Sequence, residues 1–132
     1  MYKRQGDFSY ETWLWTDVQP ASNTIWSLSN DKTFQFTTLN SQSELVYYSI
    51  ETGNQSFGPL ANNTWAHYVI TKSGNTITGY LNGVEAWTST PGSSATHSFS
   101  GASIGYRTIS PANQYYWDGR MGEIRILSLI HI

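Results

Sequence analysis

The feature that most constrains this chain is the alternation of apolar and polar residues, which recurs with a period of two from one end to the other. Side chains on a β-strand point alternately to opposite faces, so this period predicts strands that each turn one face to a core. No segment keeps apolar residues at the helical spacing over three turns, and no helix of consequence is expected. The predicted strands are Phe8 to Asp17, Thr24 to Ser29, Thr33 to Thr38, Leu45 to Ile50, Trp65 to Lys72, Thr76 to Leu81, Val84 to Ser89, Ala102 to Arg107 and Trp117 to Leu127.

The most specific local signal is Asn82-Gly83, which stands between two alternating segments. A two-residue Asn-Gly loop favours a type I′ turn, because both central residues need positive φ. We therefore expect a tight hairpin there. In the preceding segment, Trp65, His67, Val69 and Thr71 face one way, whereas Ala66, Tyr68 and Ile70 face the other. Both sets contain apolar residues, as expected for an inner strand of a two-layer structure.

Length and composition favour one domain and exclude several kinds of partner. The 132 residues suffice for one sizeable core but not for two ordinary ones. A net charge of -2 and a pI near 5.8 argue against binding to nucleic acid or to an anionic membrane. The absence of cysteine excludes thiol catalysis and Cys-ligated zinc. There is neither an apolar run of roughly 18 residues that could insert into a membrane nor a signal peptide.

Several segments, in order along the chain, resemble a known family. They are Phe8 to Leu14 ("F-T-h-E-x-W-h", where h is apolar), Asn63 to Thr71 with Gly74 and Ile77 to Val84 ("W-x-H-h-h-x-T … G … h-x-h-Y-h-N-G-h"), Ser103 to Gly105 ("h-x-I-G") and Trp117 to Ile126 ("F-x-G-x-I-D-E-V-R-I-Y"). Together these resemble the laminin-G-like domains of the concanavalin A-like lectin/glucanase superfamily. The resemblance implies an all-β fold, an antiparallel β-sandwich of the jelly-roll type, as a single domain over residues 1–132.

The ends of the chain and one position in its last strand depart from the family pattern. The match covers residues 8–127, and we expect the chain to be a fragment of a larger protein, with residues 129–132 a candidate non-native tail. Gly122 stands where the family has an aspartate. Gly119 and Gly122 also predict a bulge or a close backbone approach in the closing strand. Trp65 is interpreted as a core residue that caps one end of the sandwich, and His67 as hydrogen-bonded within the sheet.

The spacing of the nine acidic residues argues against an enzyme. Glycosidases of the same superfamily place carboxylates at two-residue steps along one strand, where they share a face. The closest acids in this sequence, Asp7 and Glu11, are four residues apart. This excludes the in-strand motif, although an acid pair formed across two strands stays open. No nucleophile elbow and no phosphate-cradling loop is present.

A cofactor is not expected, and calcium is the one ion left open. Family members often bind calcium through loop oxygens; the candidate loops here are Asn30-Asp31 and Asn62-Asn63, and the candidate ligands are Asn30 and Asp31. Calcium prefers six to eight oxygens, several of them anionic, whereas these loops offer one carboxylate at most. Asn and Asp in loops also form turns without any ion.

Aromatic residues amid hydroxyl and amide groups are the remaining chemistry, and they suit a sugar, which has apolar C–H faces and polar edges. The segment Ile109 to Tyr116 is predicted to be a loop, so its rings are less committed to the core than strand rings. The candidate ligand-binding residues are Tyr115, Tyr116, Asn113, Arg107, Trp26, Trp87 and Tyr48.

The sequence thus predicts a non-catalytic carbohydrate-binding or adhesive module of a larger secreted, cell-surface or phage-structural protein. Its partner is expected to be a glycan or polysaccharide, with protein partners also open, and its location extracellular, on a cell surface or on a virion. The main alternative is a structural protein–protein interaction domain of a virion or surface polymer. Glycoside hydrolysis is the third hypothesis. The step from fold to function is an analogy at this point.

Overall fold

The computed structural model describes residues 7–17, 23–27, 36–39, 44–49, 52–91, 103–110 and 113–128. These ranges contain strands and turns, and no helix in them is long and apolar enough to cross a membrane. The strands are β1 (Phe8–Trp15), β2 (Asn23–Ser27), β3 (Phe36–Leu39), β4 (Glu44–Ser49), β5 (Gly53–Pro59), β6 (Ala66–Ser73), β7 (Thr76–Leu81), β8 (Val84–Ser89), β9 (Ser103–Ile104), β10 (Tyr106–Ser110), β11 (Asn113–Tyr116) and β12 (Arg120–Ser128).

Two five-stranded sheets and one hairpin make up the architecture. The first sheet has the strand order β12-β1-β6-β7-β8, and the second has the order β5-β4-β3-β2-β9. Strands β10 and β11 form the hairpin. All of the strand pairings are antiparallel. The predicted all-β antiparallel sandwich is confirmed.

Strand phase decides which side chains enter the core. In β1, Tyr10, Thr12 and Leu14 are buried, while Trp13 between them is exposed. In β6, the buried residues are Ala66, Tyr68, Ile70 and Lys72, so the other set faces outward. Both strands therefore keep the period of two that the sequence predicted, and each turns one face away from the core.

The expected hairpin turn at Asn82-Gly83 is confirmed. Both residues have positive φ, 53° at Asn82 and 79° at Gly83, as a type I′ turn requires. The Asn82 side chain adds a further bond, because its Oδ1 accepts from the backbone N–H of His67 at 2.8 Å. The Asn82 N–H in turn donates to the His67 carbonyl at 2.7 Å. The turn is thus tied to the neighbouring strand as well as to its own.

Aromatic rings from both sheets meet in the core, beside five buried aliphatic residues of the described part of the chain. From the first sheet come Tyr10, Tyr68 and Trp87, and from the second come Trp26, Tyr47 and Phe57. Gly79 of β7 makes room for two of them: a Cβ there would lie 2.4 Å from the Trp87 ring and 2.5 Å from that of Phe57. Such distances are far inside van der Waals contact, so the absence of a side chain at this position permits the packing.

A buried hydrogen bond and stacked aromatic rings join the sheets in the described part of the chain. Trp26 Nε1 of β2 donates to Tyr68 Oη of β6 at 2.9 Å, and the Trp26 ring stacks on Tyr10 of β1 with centroids 4.7 Å apart. Tyr47 of β4 stacks on Trp87 of β8 at 5.3 Å. Burial also raises the pKa of the Tyr10 phenol, since the charged form is disfavoured away from water.

The strand boundaries differ from the sequence prediction in three places. Strand β5 was not predicted, because its Gly, Asn, Ser and Pro residues have low strand propensity, and it is held by pairing with β4. The segment Ile109 to Tyr116, predicted as a loop, contains β11. The single strand predicted over Ala102 to Arg107 is divided at Gly105, which has φ of 78°.

A bulge in the closing pair is confirmed at the glycine that suggested it. Thr12 pairs with Ile124 and Leu14 with Met121, so Gly122 and Glu123 together oppose the single residue Trp13. A similar shift in β2, between Thr24 and Trp26, brings consecutive residues Ile25 and Trp26 into the same core. Bulges re-aim side chains in this way.

Replacing Tyr68 with Phe tests the hydrogen bond between the sheets. The substitution leaves the Trp26 N–H buried without this acceptor, and we expect a loss of about 1–3 kcal/mol in the free energy of unfolding, measured by urea denaturation. Tyr106→Phe is the matched control, because that ring is exposed and its change should cost almost nothing. Equal effects of the two substitutions would show that the bond does not stabilise the sandwich.

Candidate functional site

The hairpin of β10 and β11 carries an exposed pair of tyrosine rings. Tyr106 pairs directly with Tyr116 across the two strands. Their ring centroids are 6.2 Å apart and the planes are inclined by 25°, in a stacked arrangement. The residues are 44% and 56% exposed, so both rings present apolar surface to solvent. We call these two residues the tyrosine pair.

The base of the hairpin is fixed to the sandwich by hydrogen bonds. The Trp117 N–H donates to the Gly105 carbonyl at 2.8 Å, and the Gly105 N–H donates to the Ile25 carbonyl of β2 at 2.7 Å. The Ser103 hydroxyl donates to the Tyr106 carbonyl at 2.6 Å. These bonds hold the backbone that carries the tyrosine pair in place before a ligand binds, which lowers the conformational entropy lost on binding.

The predicted ligand-binding residues of the hairpin do not all lie on the same face of it. Tyr116 is exposed, whereas Tyr115 is half-buried and pairs in the backbone with Arg107. Neighbouring residues on a strand face opposite ways, so Tyr115 lies on the other face of the ribbon from Tyr116. For Arg107 and Asn113 the structure describes the backbone, where Asn113 pairs with Ser110. Tyr106 was missed, although its symmetrical position across the turn from Tyr116 is visible in the sequence.

Two of the predicted ligand-binding rings lie in the core instead. Trp26 is 3% exposed and Trp87 is 8% exposed. A sugar needs a ring face that is exposed to solvent, and these two rings expose almost none because they are buried and stacked in the core. The prediction that these two rings contact a ligand is therefore wrong. Tyr48 is half-buried and points away from the side on which its neighbour Tyr47 enters the core.

The two calcium candidates, Asn30 and Asp31, lie outside the described residues, as do residues 129–132. Among the residues that the structure describes, no three His, Cys, Asp or Glu side chains are placed to hold one metal ion.

A second group of functional side chains lies on the outer face of the first sheet. It comprises Glu11 and Trp13 of β1, His67 of β6, and Glu123 and Arg125 of β12, and these residues line an open cleft of about 180 Å³. We call them the outer-face cluster. None of these residues was among the predicted ligand-binding residues. Their proximity depends on the register of three strands, in which Glu11 pairs with Arg125 and Trp13 with His67.

Stacking and ion pairs hold the cluster together. The His67 ring stacks on Trp13 with centroids 4.8 Å apart, and its Nε2 lies 3.2 Å from Glu11 Oε2. Arg125 contacts Glu123 through two hydrogen bonds of 2.9 Å and reaches Glu11 Oε1 at 3.4 Å. The hydrogen bonds and charge of Glu123, with the charge of Glu11 adding to them, raise the pKa of Arg125. The guanidinium is therefore permanently charged.

Trp65 extends the aromatic surface of the outer-face cluster. It precedes β6, yet its Cζ3 lies 3.7 Å from the point that a Cβ of Gly122 in β12 would occupy. Because β1 lies between β6 and β12, the Trp65 ring must reach across β1 beside Trp13. The residue is 44% exposed, so the interpretation of Trp65 as a core residue is wrong. Trp65 is two residues before His67, so both side chains point to the outer face of the sheet.

The sequence left open whether two acids from different strands could form a pair. Glu11 of β1 and Glu123 of β12 do so, but their geometry does not suit hydrolysis. Glu11 and Glu123 both contact the guanidinium of Arg125, which thus lies between the two carboxylates. In a glycosidase the sugar and its scissile bond must lie between the acid pair. Here the guanidinium of Arg125 takes that place, so this acid pair does not have the arrangement of a glycosidase pair.

The comparisons with known proteins give the family. The model of the Laminin_G_3 family, described as the concanavalin A-like lectin/glucanases superfamily, matches residues 2–129. The chain belongs to this family, as its motifs indicated. No curated protein matches the chain in sequence.

Solved structures share the fold at low identity. A "putative carbohydrate binding protein" from Bacteroides ovatus is 21% identical, with a TM-score of 0.77 over 92% of this chain and 37% of its own. Domains LG4-5 of the mouse laminin α1 chain are 14% identical, with a TM-score of 0.70 over 97% of this chain and 37% of theirs. Domain 4 of a GH43 extracellular arabinanase from Geobacillus stearothermophilus, solved with arabinotriose, is 18% identical, with a TM-score of 0.61 over 95% and 63%. The chain thus spans just over a third of the first two structures, and the likeness shows the fold.

Alanine substitution of two tryptophans tests the distinction between core and surface rings. Trp26→Ala removes a fully packed ring, and we expect a loss of about 3–5 kcal/mol in the free energy of unfolding. Trp13→Ala, the matched control, should cost clearly less because Trp13 is 45% exposed. Thermal and urea unfolding measure both. A Trp26→Ala protein of undiminished stability would return Trp26 to the list of ligand candidates.

Proposed function

We propose that this laminin-G-like chain is a non-catalytic carbohydrate-binding module and that the tyrosine pair, Tyr106 and Tyr116, contacts the sugar. The observation that carries the proposal is the pair itself, two stacked rings exposed on a braced hairpin. Aromatic residues exposed together in this way are uncommon unless they serve binding, because burial would otherwise stabilise them.

The chemistry of the hairpin fits a sugar better than it fits a charged or wholly apolar ligand. A ring face supplies apolar contact to the C–H surface of a pyranose or furanose, and the two phenol hydroxyls can donate to and accept from its hydroxyl groups. Arg107, Asn113 and Tyr115 stay candidates for polar contacts with a sugar, although Tyr115 lies on the other face of the ribbon from Tyr116. Tyr48 is a candidate at a separate position on β4.

The fold relatives support a glycan as the ligand class. One is described as a "putative carbohydrate binding protein", and another was solved with arabinotriose. Neither fact decides the ligand of this chain at such low identity, and the sugar is our inference from the surface chemistry. A single shallow site of this kind is expected to bind in the range of about 1 mM to 1 μM. Tighter attachment would need several modules acting together, as in a larger secreted, surface or virion protein.

A protein-interaction domain is the second candidate, and one observation favours it. Strand β12 is at the edge of the first sheet, and its Ile126 and Leu127 are exposed. An exposed apolar edge strand can pair with another chain. If the protein served this role alone, Leu127→Lys would abolish self-association or partner capture while no glycan bound.

Substitution of the tyrosine pair tests the proposed function. On a broad array of neutral and charged glycans, Tyr106→Ala with Tyr116→Ala should lose retention at the hairpin, because the stacking surface is gone. The Tyr106→Phe with Tyr116→Phe protein is the matched control and should keep most of the affinity, since its ring faces remain. Circular dichroism and melting temperature establish that both variants fold. Array signals that are identical in all three proteins would contradict the placement of the sugar on the tyrosine pair.

A further inference from the structure

The outer-face cluster is separate from the hairpin. The hairpin packs against β2 of the second sheet, whereas the cluster lies on β1, β6 and β12 of the first sheet, on the face directed away from the core. The fold does not require a wide aromatic surface there, because the core is complete on the opposite side of the same strands. Trp13 and Trp65 nevertheless keep almost half of their surface in solvent.

Gly122 permits this arrangement of rings. A Cβ at that position would lie 2.9 Å from Trp13 Cβ, closer than side-chain carbons approach one another, and 3.7 Å from the Trp65 ring. Any larger residue would force Trp13 to move. The glycine, within the bulge of β12, thus leaves room for the Trp13 side chain and for the edge of the Trp65 ring.

Hydrogen-bonding groups border the rings. A guanidinium has five N–H donors, and the contacts to Glu123 and Glu11 use three of them, so two of the Arg125 donors stay available to a ligand. Carboxylate oxygens accept more than one hydrogen bond each, so Glu11 and Glu123 can also accept from hydroxyl groups. Glu123 is the more exposed of these two residues.

The charge of the cluster selects among sugars. Two carboxylates, those of Glu11 and Glu123, face the single guanidinium of Arg125, so the carboxylates of the cluster outnumber its guanidinium. An anionic sugar such as a uronate would be repelled, whereas a neutral sugar meets only hydrogen-bonding groups and ring faces. A cleft of about 180 Å³ is smaller than the roughly 300–1,000 Å³ of drug-sized pockets, which suits one sugar unit rather than a long stretch of chain.

We propose that the outer-face cluster together with Trp65 is a second sugar-binding site, which takes one neutral pyranose unit of a glycan. In this site the indoles of Trp13 and Trp65 contact the sugar ring, and Arg125, Glu11 and Glu123 contact its hydroxyl groups. The inference rests on the proposed function for its ligand class but not for its location. Two sites on different sheets would allow one module to contact two glycan chains or two parts of one chain.

The experiment uses the full chain carrying Tyr106→Ala and Tyr116→Ala, so that only the outer face can bind. Neutral gluco-, galacto- and manno-oligosaccharides and a matched galacturonate oligosaccharide are titrated, and binding is followed by isothermal calorimetry and by amide shifts. In this background we expect neutral binding to persist and the uronate to bind at least about tenfold more weakly. Trp65→Ala should then weaken neutral binding by about tenfold or more, while Trp65→Phe keeps most of it.

Two further variants keep the test independent of folding. Gly122→Ala should weaken neutral binding by displacing Trp13, and Val84→Ala is the control because Val84 is exposed on β8 of the same sheet. Melting temperatures verify that each variant is folded. Neutral binding that survives Trp65→Ala and Gly122→Ala unchanged would overturn the second site, and so would shortened oligosaccharides among the products, since they would mean hydrolysis.

The outcomes for the two sites can be told apart. If the double tyrosine variant loses all binding and Trp65→Ala in the wild-type background changes nothing, the second site is wrong and the proposed function stands. If the double tyrosine variant binds as wild type and Trp65→Ala removes binding, the second site is right and the hairpin placement is wrong. If the wild-type chain binds no neutral sugar, the second site is wrong, and if it binds no charged glycan either, the proposed function is wrong as well.

Discussion

The contact between Trp26 and Tyr68 is the constraint on which the rest of the structure depends. It joins β2 of one sheet to β6 of the other by a 2.9 Å hydrogen bond in the middle of an aromatic core, and the stack of Trp26 on Tyr10 adds β1. A buried indole N–H without an acceptor would be costly, so the bond fixes both the distance between the sheets and the phase of their strands. Among the described residues, six aromatic rings pack in this core beside five aliphatic side chains, so ring geometry contributes much of the packing.

The phase of β1 and β6 in turn places the candidate sites. Once Tyr68 and Tyr10 face inward, His67, Glu11 and Trp13 must face outward, because adjacent residues of a strand alternate. The bulge opposite Trp13 then brings Gly122 and Glu123 beside it. The bulge in β2 has the converse effect and turns both Ile25 and Trp26 into the core. The same aromatic composition therefore serves the fold on one face and supplies exposed rings on the other.

Much of the fold could be predicted from the sequence, but the assignment of rings to core or surface could not. Alternation predicted most strands, and Asn82-Gly83 fixed one turn, because both are local properties of the chain. The two faces of β6 both carry apolar residues, so their pattern could not say whether Trp65 or Tyr68 enters the core; pairing with β1 and contact with Trp26 decide this. The outer-face cluster depends on the register of three strands. The burial of Trp26 depends on the bulge in β2. Neither is readable from local sequence.

The most direct test of the account is an NMR titration that follows the indole N–H signals of the six tryptophans while a neutral oligosaccharide is added. The account holds that exposed aromatic residues bind sugar and that core aromatic residues hold the sheets together. It predicts that the signals of Trp13 and Trp65 move with saturation, as do the backbone amides of Tyr106 and Tyr116, while those of Trp26 and Trp87 stay in place. Saturable movement of Trp26 and Trp87 with Trp13 and Trp65 unchanged would contradict it.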